Sequence, residues 1–220
     1  MKARRPRYEA PATDTPSLSP RPLHIVAVAE LPTRFGDFRV VAFTPDAHGD
    51  ENIAIVRGNV RGMRDVPARI HSECLTGDVL GSLRCDCRDQ LTAALEQLGS
   101  LRSGALFYLR QEGRGIGLYA KLDAYALQDA GLDTYEANRA LGHGDDERDY
   151  TAAAQMLHTL GASRIELLSN NPDKAEQLEG LGIEIAEHVR TGVHLNDANA
   201  RYLAAKVSQT AHTLDLALAG

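Results

Sequence analysis

Residues 24–73 and residues 88–189 obey different periodicities, and this contrast limits the folds open to the chain. In the first stretch HIVAVAELPT (24–33), FRVVAF (38–43), NIAIVRGNV (52–60) and ARIHSE (68–73) are β-branched or alternating runs. Pro, Gly and Asp separate them, which is the pattern of strands. Residues 88–98 change period: Leu91, Leu95 and Leu98 recur at helical spacing, and Gly99 marks the end. ALFYLR (105–110) then reads as a buried strand. GLYAKLDAYALQDAG (117–131) reads as a helix with apolar positions at Leu118, Leu122, Tyr125 and Ala126. TAAAQMLHTLGA is a further helix, RIELLS a strand, PDKAEQLEGLG a helix opened by Pro, and IEIAEHV a strand. Residues 197–218 read as a long final helical stretch. The expected fold is α/β, a mixed β-sheet flanked by helices with a β-rich N-terminal third.

No internal repeat or linker interrupts residues 24–220, so they are expected to form one domain. Residues 1–23 are rich in Pro, Ser, Thr and Arg and lack periodicity, the composition of a disordered extension. No apolar run approaches the ~18–20 residues needed to span a bilayer. The basic N-terminus is followed by no apolar signal core. A cytoplasmic protein is expected, with no membrane partner. The net charge of −6 includes a +3 arm over residues 1–22, which leaves −9 on the body. Such a body does not attract nucleic acid as a whole, although a local convergence of cations and N–H groups can still hold an anion.

All three cysteines, Cys74, Cys85 and Cys87, fall in the segment HSECLTGDVLGSLRCDC (71–87). In a reducing compartment clustered thiols point to metal or catalysis rather than a disulfide, and an odd number cannot all pair within one chain. Zinc takes thiolates well. Three protein ligands leave a position for water, as in catalytic sites, whereas His71 as a fourth ligand would close the site and make it structural. The plainer reading, that the three are small buried hydrophobes, explains neither their number nor their spacing. Glu73, Asp78, Arg84, Asp86 and Gln90 surround the thiols in sequence, and Glu73 is placed to shuttle protons.

RQEGRGIGLYAK (110–121) is glycine-rich and basic, and it leads from a strand into a helix. Gly113, Gly115 and Gly117 let the backbone approach a ligand, while Arg110 and Arg114 add charged donors, a combination suited to phosphate. The segment lacks the ending of a nucleotide-triphosphatase P-loop. GHGDDERDY (142–150) and SNNPDKAE (169–176) each precede a helix. Acids there complement the helix dipole, and SNNPDKAE either caps its helix and does nothing more or brings Lys174 to a ligand.

Together RIHSECLTGDVLGSLRCDC with DQL, then RQEGRGIGL, AYALQD, DTYEAN, LGHGDDERD and NNPDK resemble the GTP cyclohydrolase II family of riboflavin biosynthesis, in order from about residue 24 to 205. The resemblance implies a reaction in which GTP loses C8 of its guanine as formate and also loses pyrophosphate, leaving a diaminopyrimidine ribosyl phosphate. It implies one zinc ion per subunit on Cys74, Cys85 and Cys87, carrying the water that attacks C8. It also implies magnesium on the substrate phosphates, in keeping with that ion's preference for oxygen ligands. By the same resemblance Arg69, Ile70, His71, Ser72, Glu73, Gln90, Glu112, Gly113, Arg114, Thr134, Ser169 and Lys174 contact GTP. Asp146 is the proton acceptor, Arg148 acts at the α-phosphorus as covalent nucleophile or charge clamp, and Tyr125 sits near the zinc water. A homodimer is implied as well. Ser169 stands where many members carry threonine, Gly115 where asparagine is common, and His143 where an aromatic or aliphatic residue is frequent.

Two other readings are compatible with these residues. One is a relative of the same enzyme class that stops at a formylated intermediate, against which the retention of Tyr125 argues. The other is a non-catalytic, zinc-stabilised nucleotide-binding module, against which the joint presence of Glu73, Asp146 and Arg148 argues.

Overall fold

The computed structural model describes residues 23–192. The expected N-terminal extension, save Leu23, and the expected final helical stretch lie outside the described residues. Among the described residues the chain forms one seven-stranded sheet in the order β1-β2-β3-β5-β4-β6-β7. The strands are β1 (Ile25–Thr33), β2 (Gly36–Phe43), β3 (Ile53–Arg57), β4 (Val66–Ser72), β5 (Gly104–Leu109), β6 (Arg164–Leu168) and β7 (Glu184–Val189). β1, β2, β3 and β5 pair antiparallel in turn. β5, β4, β6 and β7 pair parallel. The sheet is thus mixed, and its first four strands account for the β-rich N-terminal third.

β3 stops at Arg57, short of the expected end at residue 60, because Gly58 turns with φ +59°. A Cβ there would meet the Arg102 carbonyl oxygen at 2.1 Å, so only glycine fits.

The described residues form five α-helices: α1 (Cys87–Ser100), α2 (Leu118–Asp129), α3 (Thr134–Ala140), α4 (Thr151–Leu160) and α5 (Pro172–Gly180). Strand alternation sorts the core into two layers. Val66, Ala68 and Ile70 of β4 pack with Tyr150, Ala153, Met156 and Leu157 of the α4 segment and Leu178 of α5. On the opposite face Phe38 and Leu106 pack with Ala94 and Leu98 of α1. Full burial of side chains of this size stabilises the fold by about 1.5–3 kcal/mol each.

α1 therefore crosses from β4 to β5 on one face, while α4 and α5 lie on the other. The direction of crossing reverses at β4, and the carboxyl ends of β4 and β6 flank the crevice where ligands settle in open α/β sheets. No helix among the described residues is long and apolar enough to cross a membrane.

α2 departs from its sequence pattern. Its buried residue is Ala124, while Leu122 is 44% exposed. The helix packs mainly on α3 and on a short turn at Glu112–Gly115 rather than on the sheet. α3 was not among the helices expected from periodicity. It is seven residues long and is held by a capping box, in which the Asp133 side chain accepts from the Tyr135 and Glu136 amides and Glu136 accepts from the Asp133 amide.

Candidate active site

β4 runs out at Ser72, and the chain turns through a π-type coil at Leu75–Val79 before reaching α1. This turn folds Cys74 back onto Cys85 and Cys87. Their ligand atoms lie within 4.8 Å of one another, with Cys74 Sγ and Cys85 Sγ 3.6 Å apart. Tetrahedral zinc with Zn–S bonds of ~2.3 Å sets its sulfurs about 3.8 Å apart, so the spacing fits that ion. Gly77 caps the cluster. A Cβ on it would lie 2.7 Å from Cys85 Sγ, 3.0 Å from Cys74 Sγ and 3.0 Å from the Cys87 Cβ.

His71 is not a fourth ligand. Its Nε2 lies 3.1 Å from both carboxylate oxygens of Asp78, and its ring stacks on Tyr108. Burial lowers the His71 pKa, with Asp78 opposing, so the ring is neutral at pH 7. Asp78 also accepts from the Cys74 amide at 3.0 Å and from the Tyr108 hydroxyl at 2.8 Å. One buried carboxylate thereby fixes the strand end that carries the first thiol.

Lys121 of α2 reaches the same thiol. Its Nζ donates to Cys74 Sγ at 3.1 Å and to Glu112 Oε1 at 2.7 Å. Hydrogen bonds from Cys85 and Cys87 lower the Cys74 pKa; burial opposes them and Lys121 adds to them. The Cys85 and Cys87 thiols are pushed up, chiefly by the neighbouring Cys74 sulfur. Holding all three as thiolates this close together would take a cation among them. Tyr125, one turn beyond Lys121, places its hydroxyl 3.1 Å from Thr76 Oγ1 and takes the Arg84 guanidinium over its ring at 4.8 Å. Burial raises the Tyr125 pKa, so its phenol stays protonated at neutral pH.

The thiols share one cavity with a set of cationic and polar side chains from β4, α1, the Glu112–Gly115 turn, α3, the 146–148 segment and the β6–α5 turn. Arg69 donates to the Leu168 carbonyl at 2.8 Å and to Gln90 Oε1 at 2.8 Å. Arg114 sits at φ +64° with its guanidinium 4.6 Å from the centre of the Tyr135 ring. Gly115 has φ +94°, and a Cβ on it would come within 2.7 Å of the Glu147 carbonyl oxygen, so the acidic segment lies directly on this turn. There Arg148 Nε donates to Asp146 Oδ1 at 2.8 Å and its NH2 to Oδ2. Burial would raise the Asp146 pKa, but Arg148 outweighs it and the carboxyl is lowered. Asn171 caps α5 by accepting from the Asp173 amide, and Lys174 in the first turn donates to the Ile70 carbonyl at 2.7 Å.

Residues 24–190 match the GTP cyclohydrolase II family model. The chain belongs to the GTP cyclohydrolase II family. GTP cyclohydrolase-2 of Proteus mirabilis is 50% identical over 192 residues, which cover 87% of this chain and 96% of that one. GTP cyclohydrolase-2 of Escherichia coli is 51% identical over 190 residues, 86% of this chain and 97% of that one. The riboflavin biosynthesis protein RibBA of Synechocystis is 51% identical over 189 residues, 85% of this chain but 34% of the longer protein.

Of the positions that the GTP cyclohydrolase II pattern singles out, the fold brings all but one to the cavity wall. Arg69, His71, Ser72, Glu73, Gln90, Glu112, Gly113, Arg114, Tyr125, Thr134, Asp146, Arg148, Ser169 and Lys174 line it with the three cysteines. Ile70 does not. Alternation along β4 turns it into the core, where it is fully buried, and only its carbonyl takes part through Lys174. Glu73 pairs with Arg110 Nε at 2.9 Å. Sequence reasoning gave no role to Asp78 or Lys121, and it passed over Tyr135 and Asn138, which also line the cavity. For α3 the signal was present, as the Asp133–Glu136 spacing of a capping box.

Proposed function

We propose that this chain opens the imidazole ring of GTP, releasing formate and pyrophosphate, as the first step of riboflavin synthesis. The observation that carries the reading is a single cavity lined both by three thiols at zinc spacing and by Arg69, Arg114, Arg148 and Lys174. A polyanionic substrate with an electrophilic ring carbon needs both. Zinc on Cys74, Cys85 and Cys87 supplies the Lewis acidity that makes water a nucleophile at neutral pH. Magnesium accompanies the substrate phosphates.

The chain's own groups bind and orient. Ser72, Glu73, Gln90 and Thr134 offer polar contacts to the nucleoside, with Arg69 and His71 behind them. Arg114, Ser169 and Lys174 offer donors to phosphate, while the Gly113 amide is taken by Glu112 and the residue serves by letting the turn come close. Tyr125 stays protonated beside the thiol turn, its hydroxyl within hydrogen-bond distance of Thr76. For Arg148 the charge-clamp role is the better supported of the two. Asp146 is a weak base when its pKa is lowered, and a guanidinium paired with a carboxylate keeps its proton. Arg148 then stabilises charge developing at the α-phosphorus, and Asp146 holds it in place. The reading also takes residues 24–220 as one catalytic domain, two of which pair as a homodimer in the cytoplasm.

Purified protein supplied with GTP, magnesium and zinc is expected to release formate and pyrophosphate in equal amounts, with activity lost to a chelator and restored by zinc. Ring opening with pyrophosphate retained would move the chain to a relative that stops early. No product of either kind would end the enzyme reading.

A further inference from the structure

Lys121 is one of few cations in the cavity that the assigned chemistry leaves unused, and its surroundings are specific. Its ammonium is largely buried and bridges a sulfur, Cys74 Sγ at 3.1 Å, and a carboxylate, Glu112 Oε1 at 2.7 Å. Glu112 is itself held by further donors of the protein. Its Oε1 also accepts from the Gly113 amide at 2.9 Å, and its Oε2 accepts from the Leu75 amide at 2.6 Å. Leu75 directly follows the first thiol, and Gly113 belongs to the phosphate-suited turn. The pair therefore joins the two halves of the site through one buried carboxylate.

We propose that Lys121 is a positioning residue for the Cys74 sulfur, with Glu112 holding its ammonium in place. The inference rests on the reading above that a metal occupies the three thiols. Three thiolates on one dication carry an excess negative charge, and an ammonium donating to one sulfur offsets it. Partners of this kind, one bond removed from a metal, orient the ligand and set its donor strength. A merely structural ion pair between Lys121 and Glu112 would do neither.

Cobalt(II) titration of the full chain tests this, with affinity from competition against a chromophoric chelator and the sulfur-to-cobalt charge-transfer band as a second readout. Lys121→Met is expected to weaken cobalt binding by about 10–100-fold. It should also move the band to longer wavelength, since the sulfur loses a donor. Lys121→Arg, which keeps a cationic donor, is expected to restore most of both. Unchanged affinity in Lys121→Met overturns the proposal, and so does weaker binding with an unmoved band, which is what loss of the ion pair alone would give. Lys121→Leu, which also lacks a donor, stands in under the same criteria if the Met variant does not fold, as judged by the thermal melt of the metal-free protein. Failure of the wild type to bind cobalt, or to show the band, instead removes the metal reading on which the inference stands.

Discussion

Arg148 lays its guanidinium along the Asp146 carboxylate, Nε to Oδ1 at 2.8 Å, two residues apart in a segment without regular structure. A fork of this kind fixes the direction in which the arginine presents its remaining donors to the cavity.

The lowered Asp146 pKa sets a pH window. Stability from a carboxylate whose folded pKa is depressed is complete above the unfolded value, about 3.9. It is lost as pH falls through the folded value. Asp146→Asn should therefore lower the melting temperature at pH 7, where the contribution is complete, and make its acid decline below about pH 4 shallower. Pyrophosphate release should fall about 100-fold or more, because Arg148 loses the group that holds it. Melts from pH 2 to 8 beside a pyrophosphate assay check both.

Gly77→Ala places a methyl group against Cys85 Sγ and Cys74 Sγ, where no flexible side chain can yield. Zinc affinity is expected to drop by about 10-fold or more while the sheet stays intact. Metal content after dialysis, with far-ultraviolet circular dichroism, tests this.

Cys85→Ser should fold. Neither core layer includes a cysteine, so removing the metal leaves the packing of β4 against α4 and of β2 against α1 in place. The variant is expected to melt cooperatively and release no formate. A chain that unfolds on this change would instead mark the thiols as a structural centre.

Ile70→Ala separates packing from binding. Ile70 is fully buried in the larger core layer. The substitution should lower stability by about 2–5 kcal/mol. The KM for GTP should stay near the wild-type value, because the residue offers the cavity no side chain. Urea denaturation and initial rates over a GTP series decide it.

Much of the fold was legible because periodicity is a local signal. The strands and four of the five helices sit within a few residues of where apolar spacing put them, and the thiol cluster was legible from its spacing alone. The rest depends on contacts between distant residues. Leu122 looked like a core position, yet α2 lies over the cavity and exposes it. Lys121 lies 47 residues from Cys74 in sequence, and no local pattern reveals that they touch. His71 could be a metal ligand on spacing alone until the turn at Leu75–Val79 delivers Asp78 to its ring. The failure at α3 was different in kind, since its cap was written in the sequence while its seven residues were too few for a stripe.

The hydrogen bond from Lys174 to the Ile70 carbonyl ties α5 to the end of β4, across more than a hundred residues. As a nascent chain emerges, the sulfurs are therefore made well before the groups that complete the pocket. A truncated product ending before β6 would carry the thiol segment but lack Ser169 and Lys174. Closure of the cavity is thus deferred until the parallel half of the sheet has formed, which needs synthesis to run past α5.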